Sequence, residues 1–195
     1  MGNLFLLVTY IALWIIVSFL LAAVFFLYRY IGTQLMGGRE GQFRQGPELD
    51  SKVPLLRLTA LGGEQFYLGG PSARPRLVFL ATTECKPCQS LKGAFSTFAR
   101  KYGDSLDVAL VCRGSREAVG EFAHDLPQNV VIIADPRWDL GTKIRVHSTP
   151  FVFITDTAGV VRGKGNPRDE IAFEWFLEQL RDVPRTVQDV AYQSA

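Results

Sequence analysis

Two cysteines separated by two residues are the strongest chemical signal in the sequence. Cys85 and Cys88 stand where the continuous apolar run 76–81 gives way to a helical pattern. A helix N-terminus carries partial positive charge and free N–H groups, which stabilise a thiolate on Cys85 and lower its pKa. Cys88 falls on the same helix face, one turn further along. The pair therefore predicts two-step thiol–disulfide exchange, in which Cys85 attacks a disulfide and Cys88 resolves the mixed disulfide.

The two residues between the cysteines fit this interpretation. Lys86 adds a nearby cation, and Pro87 suits the first helical turn, where its missing N–H costs nothing. Half of a zinc site is the alternative, but structural zinc needs a second pair of ligands at a recognisable spacing. Cys112, His124 and His147 do not form such a pair. A metallochaperone or client-binding module with the two cysteines as soft ligands stays open as a non-enzymatic alternative.

The other candidate residues carry weaker signals. Thr82 stands three residues before Cys85, as in a peroxidase motif, but Val78 occupies the position that this motif gives to proline. Cys112 closes an apolar strand and is interpreted as a small core residue. His124 is expected on a solvated helix surface. These residues therefore do not displace the exchange hypothesis.

A proline marks a second segment of interest. Thr149 and Pro150 precede the apolar run 151–155, and His147 lies just upstream. A proline at the start of a strand is tolerated for ordinary reasons. A cis peptide bond, which proteins keep for positional reasons, is the sharper interpretation. The sequence alone leaves both open.

Elements of alternating type must position these residues. Apolar runs and alternation predict strands, and apolar residues at helical spacing predict helices. The expected strands are 55–61, 65–68, 76–81, 107–111, 130–134, 151–155 and 160–164, and the expected helices are 86–101, 115–126, 138–143 and 168–181. This order predicts an α/β fold with a mixed central sheet flanked by helices and an extra N-terminal hairpin.

Composition limits the remaining classes. The chain has 195 residues, of which 48% are hydrophobic and 21% charged, so it is neither disordered nor collagen-like. Its 21 Lys and Arg nearly balance 19 Asp and Glu, which argues against a nucleic-acid partner. Three cysteines are too few for a disulfide-dense scaffold.

The N-terminus predicts a membrane anchor over residues 4–28. Residues 4–27 carry no charge and are long enough, at about 1.5 Å per residue, to cross a hydrocarbon core of about 30 Å. A cleaved signal peptide fits poorly, because no basic residue precedes the run and no clean cleavage site follows it. We expect a linker over 29–53, a folded domain over 54–182 and a loose tail over 183–195.

Two sequence signals disagree about the side of the membrane on which the folded domain lies. Arg29, Arg39 and Arg44 follow the apolar run, and the positive-inside rule would then place the domain in the cytoplasm. Disulfide chemistry on a client is instead typical of extracytoplasmic compartments. We expect an extracytoplasmic, periplasmic domain at a bacterial inner membrane, because three dispersed arginines are a modest bias.

The order of the elements resembles the thioredoxin fold. A strand is followed by Cys-x-x-Cys and a helix, and Thr149-Pro150 then precedes a closing hairpin and helix. The anchor, the N-terminal hairpin around Gly62-Gly63 and the segment 159–165 narrow this resemblance to the membrane-anchored TlpA/ResA-like oxidoreductases, and within them to the MauD-like branch of methylamine-utilisation accessory proteins. The resemblance implies a nucleophilic Cys85, a resolving Cys88 and a cis Pro150. It also implies that Thr149 offers its backbone to a bound substrate.

The sequence departs from that family where other members carry proton-handling groups. Phe79 replaces the buried Asp of thioredoxin, Leu91 replaces the Glu of ResA-like reductases, and Glu84 replaces the Trp before the first cysteine. Leu91 agrees with the MauD-like branch, whereas Gly93 stands where a helix proline is expected. Glu84 is either a substitute proton acceptor, a like charge that raises the pKa of Cys85, or an exposed loop residue without either role.

The resemblance implies a membrane-tethered enzyme that matures or maintains another extracytoplasmic protein. Its partners would be a protein thiol or disulfide client, with an amine dehydrogenase subunit as the specific candidate, and an upstream thiol electron donor or acceptor. The redox-active disulfide would serve in place of a bound cofactor or metal.

Overall fold

The structure is a computed structural model that describes residues 7–26 and 45–181. The chain divides into two units, residues 1–42 and 43–195, which are described separately. In the first unit, helix α1 (Leu7–Phe26) has 20 residues and is long and apolar enough to cross a membrane, features that an N-terminal signal sequence shares. The remainder of the expected anchor, linker residues 29–44 and the expected tail lie outside the described residues.

Seven strands and four helices make up the described part of the second unit. The strands are β1 (Leu56–Thr59), β2 (Gln65–Leu68), β3 (Arg76–Thr82), β4 (Asp107–Arg113), β5 (Val130–Ala134), β6 (Phe151–Thr155) and β7 (Val161–Gly165). The helices are α2 (Lys86–Tyr102), α3 (Arg116–Ala123), α4 (Asp139–Lys143) and α5 (Glu170–Arg181). The predicted elements are all present, and α3 differs most, since it ends three residues before the expected Leu126.

The main sheet is mixed, as the sequence predicts. Its strand order is β5-β4-β3-β6-β7, and β1 pairs with β2 in a separate hairpin. Strands β3, β4 and β5 run parallel, whereas β6 and β7 are antiparallel to their neighbours. The carboxyl ends of β3 and β4 therefore meet the amino end of β6 at one edge of the sheet.

Alternate side chains of β3 enter two apolar layers on opposite faces of the sheet. Leu77, Phe79 and Ala81 lie in the layer that α2, α3 and α5 cover. Val78 and Leu80 lie in the layer that includes residues of β2 and α4. Since all five side chains are fully buried, β3 is the central strand, and the loop that follows it starts from a rigid base.

Residues 45–53, the described end of the expected linker, pack against the sheet. Gln45 is 5% exposed and Val53 is 3% exposed. The backbone N–H of Val53 donates to the Gly159 carbonyl at 3.0 Å, and Lys52 forms an antiparallel bridge with Val160. The folded region thus begins before the boundary expected at residue 54, because polar groups of residues 45–53 find partners distant in sequence.

Candidate active site

The loop between β3 and α2 places Cys85 at the N-cap of α2. Its backbone is extended, with φ −78° and ψ 104°, and its Sγ accepts a hydrogen bond from the backbone N–H of Cys88 at 3.1 Å. Pro87 stands in the first turn, where its missing N–H leaves no hydrogen bond unmade. This is the strand-to-helix position that the sequence predicts, and it points a backbone donor and the helix dipole at one sulfur.

Cys85 and Cys88 form a disulfide with their Cα atoms 5.2 Å apart. Cys88 is fully buried, whereas Cys85 is partly exposed. Cys85 is therefore the more accessible of the two residues to an incoming thiolate. The two cysteines therefore differ in their accessibility to a reacting thiol.

Short-range hydrogen bonds hold most of this loop. The N–H of Cys85 donates to the Thr82 carbonyl at 3.2 Å, and the Gln89 side chain donates to the Thr83 carbonyl at 3.0 Å. One contact comes from farther away, since the N–H of Thr83 donates to the Arg113 carbonyl at the end of β4 at 3.2 Å. The loop is thereby fixed against the neighbouring parallel strand.

Among the described residues, no buried carboxylate lies beside the cysteine pair at the positions where the resembled family carries proton-handling groups. Phe79 is fully buried, with its ring centroid 4.9 Å from that of Phe95, and Leu91 is 5% exposed. Asp135 is the one buried carboxylate in the described ranges, and it accepts hydrogen bonds from the first N–H groups of α4. Its oxygens are thus engaged in capping α4.

Glu84 and Lys86 flank Cys85 on the exposed side. Within residues 7–26 and 45–181, neither side chain forms an ion pair or a side-chain hydrogen bond. Both charges face solvent, where screening weakens their influence on a neighbouring thiol. Both residues are adjacent to Cys85 in sequence, and within the described ranges no side-chain contact assigns either of them a chemical role.

The loop before β6 reaches the same edge of the sheet. Leu80 of β3 pairs with Phe151 of β6 in antiparallel register, so Thr149-Pro150 lies opposite the last residues of β3. The peptide bond between Thr149 and Pro150 is cis, as the resemblance implies. Pro150 is buried, Thr149 is half-buried and His147 is exposed. The fold thus brings the cysteine loop and the proline loop to one edge.

Two residues that the sequence reasoning missed hold the proline loop. The Gln45 amide oxygen accepts hydrogen bonds from the N–H groups of His147 and Ser148 at 3.2 and 3.0 Å. The Asn166 amide donates to the carbonyl of Pro150. No local signal marks these residues, because each lies in a loop and its partners are distant in sequence.

The third cysteine lies in the same apolar layer as Cys88 and has no exposed surface. Cys112 is fully buried in β4, as expected for a core residue, and burial raises the pKa of its thiol to about 12. His124 is exposed at the end of α3, with Nε2 2.6 Å from the Asp125 carboxylate. Among the residues that the structure describes, no cluster of three or more His, Cys, Asp or Glu could hold a metal ion.

Solved structures with similar backbones show the fold class of this protein. A candidate thiol:disulfide interchange protein DsbE from Chlorobium tepidum aligns with a TM-score of 0.61 and 18% identity, covering 69% of this chain and 96% of that one. The exposed lipoprotein thioredoxin Etrx1 of Streptococcus pneumoniae aligns with a TM-score of 0.55 and 17% identity, covering 67% of this chain and 100% of that one. The second unit therefore has a thioredoxin-like fold with a Cys-x-x-Cys pair, which confirms the predicted fold class.

A curated relative is similar to this chain in sequence. The methylamine utilization protein MauD of Paracoccus versutus is 26% identical over 135 residues, which are 68% of this chain and 66% of that protein. The matched region thus spans slightly less than two thirds of the relative. No family model matches the chain. The chain is similar to MauD proteins in sequence and to the DsbE-like thioredoxin-fold proteins in structure.

Proposed function

We propose that this protein is a membrane-tethered thiol–disulfide oxidoreductase that acts on a protein client. One observation carries the proposal: a partly exposed Cys85 caps the N-terminus of α2 and is bonded to a fully buried Cys88. The helix terminus favours the thiolate of Cys85 in the reduced state, and burial keeps Cys88 from reacting with anything except the adjacent sulfur.

The exchange moves two electrons in two substitution steps. In the reducing direction, the Cys85 thiolate attacks one sulfur of a client disulfide, and the other client sulfur leaves as a thiolate. Cys88 then loses its proton and attacks Cys85, which releases the second client thiolate and forms the Cys85–Cys88 disulfide. The client gains two electrons and the enzyme loses two. The oxidising direction is the same sequence in reverse.

The client is proposed to lie across the two loops at the sheet edge. Thr149 is half-buried and precedes the buried Pro150, so its backbone can pair with an extended client segment beside Cys85. Lys86, Pro87 and Glu84 are proposed as supporting residues that tune the first turn of α2. Among the described residues no free buried carboxylate lies beside Cys88, so its proton is proposed to leave through water or through an exposed group.

The similarity to MauD supports a maturation role for a client in amine utilisation, with an amine dehydrogenase subunit as the candidate. Helix α1 supports a single-pass anchor over residues 4–28. The proposed order after the anchor is a tether, the folded domain and a C-terminal tail over 183–195. The domain is proposed to face the periplasm, because client disulfides persist in oxidising compartments.

A trapping experiment tests this proposal. The Cys88→Ser chain is expressed in its native host, and proteins disulfide-linked to Cys85 are isolated under non-reducing conditions and identified. Without its resolving thiol, the enzyme is expected to accumulate as a mixed disulfide with its client. The double variant Cys85→Ser/Cys88→Ser is the matched control and is expected to capture no partner.

The identity of the captured protein separates the parts of the proposal. An extracytoplasmic partner supports both the exchange chemistry and the proposed orientation. A cytoplasmic partner keeps the chemistry and reverses the orientation. If Cys85 stays free and no adduct forms, the exchange proposal fails, and the metal content of anaerobically purified protein then tests the soft-ligand alternative.

A further inference from the structure

Gln45 makes an unusual set of hydrogen bonds with the proline loop. Its Oε1 accepts from the backbone N–H of His147 at 3.2 Å, and from the N–H and Oγ of Ser148 at 3.0 and 3.1 Å. Its Nε2 donates to Oδ1 of Asn166 at 3.0 Å. Gln45 is 5% exposed, so its own polar atoms are shielded from competing water.

Backbone groups fix the orientation of both amides. The N–H groups of His147 and Ser148 can only donate, so they require the oxygen of Gln45. The carbonyl of Pro150 can only accept, so it requires the nitrogen of Asn166. The two side chains thus form a directed chain of hydrogen bonds from one side of the proline loop to the other.

The backbone around Gln45 is held as firmly as its side chain. The buried ammonium of Lys164 donates to the Gln45 carbonyl at 3.0 Å, and the N–H of Gly46 donates to the Arg145 carbonyl at 2.8 Å. Gly46 has a φ of +74°, and a Cβ on it would lie 2.4 Å from the ring of Phe151. The segment therefore fits closely against the residues on either side of the proline loop.

We infer that Gln45 is a positioning residue for client binding: it holds the loop 147–150 in the conformation that presents the Thr149 backbone beside Cys85. This inference rests on the proposed function. Gln45 engages the N–H groups of the two residues just before Thr149, while Asn166 engages the carbonyl just after it. The two amides thus hold the backbone on both sides of Thr149, and a bound client meets a loop that is already ordered.

Removal of the Gln45 amide is expected to weaken the binding of an extended client. The rate of the reaction at the Cys85 sulfur is expected to change less. In Gln45→Ala, the N–H groups of His147 and Ser148 lose their acceptor. Part of the binding free energy of the client must then be used to order the loop. We expect KM to rise about tenfold, which corresponds to the loss of a buried hydrogen-bonded group. The maximal rate is expected to change by less than about twofold, because Cys85 and α2 are held by other contacts.

The experiment compares two disulfides of different size. The full chain is reduced in detergent micelles and reacted with insulin, a protein disulfide, and with hydroxyethyl disulfide, which is too small to pair with the loop backbone. Gln45→Ala is expected to raise KM for insulin and to leave the rate constant for hydroxyethyl disulfide within about twofold of wild type. Gln45→Glu keeps an acceptor for the N–H groups of His147 and Ser148 but loses the donor to Oδ1 of Asn166, so its KM for insulin is expected to lie between those of wild type and Gln45→Ala.

Gln65→Ala is the matched control, because Gln65 is exposed on the β1–β2 hairpin and its amide donates to Thr59 Oγ1. It is expected to leave both reactions unchanged. Asn166→Ala removes the other half of the hydrogen-bond chain and is scored in the same way if Gln45→Ala does not fold, as judged by circular dichroism. It is also expected to raise KM for insulin.

The outcomes separate this inference from the function on which it rests. If wild type reacts with neither disulfide, the proposed function fails. If wild type reacts with both, and the folded variants show an unchanged KM for insulin or an equal loss with both disulfides, the positioning role of Gln45 is overturned.

Discussion

The two loops at the sheet edge are held in opposite ways. The cysteine loop depends mainly on neighbours in sequence: Cys85 contacts Thr82 and Cys88, and Gln89 reaches back to Thr83. The proline loop depends on residues far from it in the chain. Gln45 lies 102 positions before His147, and Asn166 lies 16 positions after Pro150.

On the proposed function, the cysteine loop determines the reactivity of the thiol and the proline loop determines the recognition of the client. The N-cap geometry that favours a thiolate on Cys85 is a property of one strand-helix junction and forms wherever that junction forms. The conformation of the proline loop requires residues 45–46 and 166 to be folded in place. We therefore expect changes in the first loop to affect chemistry, and changes around the second to affect stability and client affinity.

Loss of Cys85 is expected to have the largest effect. Cys85→Ser removes the accessible sulfur, and disulfide exchange is expected to fall to the uncatalysed background with every substrate. The rate of insulin reduction measures this loss. Cys112→Ala is the control and is expected to retain exchange, since Cys112 is buried in β4. Substantial exchange by Cys85→Ser would contradict the assignment of the nucleophile.

The two thiols near this edge are expected to differ strongly in reactivity. Burial raises the pKa of Cys112 from 9.0 to about 12, so at a fixed pH near 8 its thiolate is about a thousandfold rarer than that of an unperturbed thiol. Iodoacetamide should label Cys85 in the reduced native protein and label Cys112 only after unfolding. Mass spectrometry of the labelled peptides measures both, and rapid native labelling of Cys112 would contradict its burial.

The same pKa shift predicts a pH dependence of stability. The folded state keeps the Cys112 proton to about pH 12, whereas the unfolded thiol loses it near pH 9.0. Its contribution to the free energy of unfolding is therefore complete below pH 9.0 and is lost as the pH rises to about 12. Denaturant unfolding at several pH values should show a shallower decline for Cys112→Ala than for wild type.

A pair of glycine substitutions tests the distant support of the proline loop. Gly46→Ala places a Cβ against Phe151 at a φ of +74°, and we expect a loss of about 1–3 kcal/mol in the free energy of unfolding. Gly93→Ala adds a methyl group to the open, exposed face of α2 and is expected to stabilise by about 0.5–1 kcal/mol. Urea denaturation measures both, and equal effects would contradict the close fit at residue 46.

The exposed charges beside Cys85 are expected to have the smallest effects. Glu84→Gln should move the pH dependence of Cys85 alkylation slightly to lower pH and Lys86→Gln slightly to higher pH, because solvent screens both side chains. The pH dependence of Cys85 alkylation measures these shifts. No change in Glu84→Gln would leave Glu84 as an exposed loop residue without a catalytic role.

The cysteine loop and most of the fold could be predicted because their signals are local. The apolar run of β3, the N-cap position of Cys85 and the cis Pro150 all follow from short motifs or from the family resemblance that they carry. The roles of Gln45 and Asn166 could not be predicted. A glutamine in a segment with several glycines is interpreted as solvated linker, because nothing near it in sequence shows that the fold brings His147, Ser148 and Asn166 to it.

The sequence by itself determined the strand-to-helix junction, the order of the elements and the pairing of Cys85 with Cys88, because each follows from contacts within a few residues. The tertiary structure alone decided which sulfur meets solvent and how the proline loop is held. Those properties depend on burial and on hydrogen bonds between residues up to 121 positions apart. Such contacts form only when the sheet has brought β3 beside β6 and residues 45–46 against the proline loop.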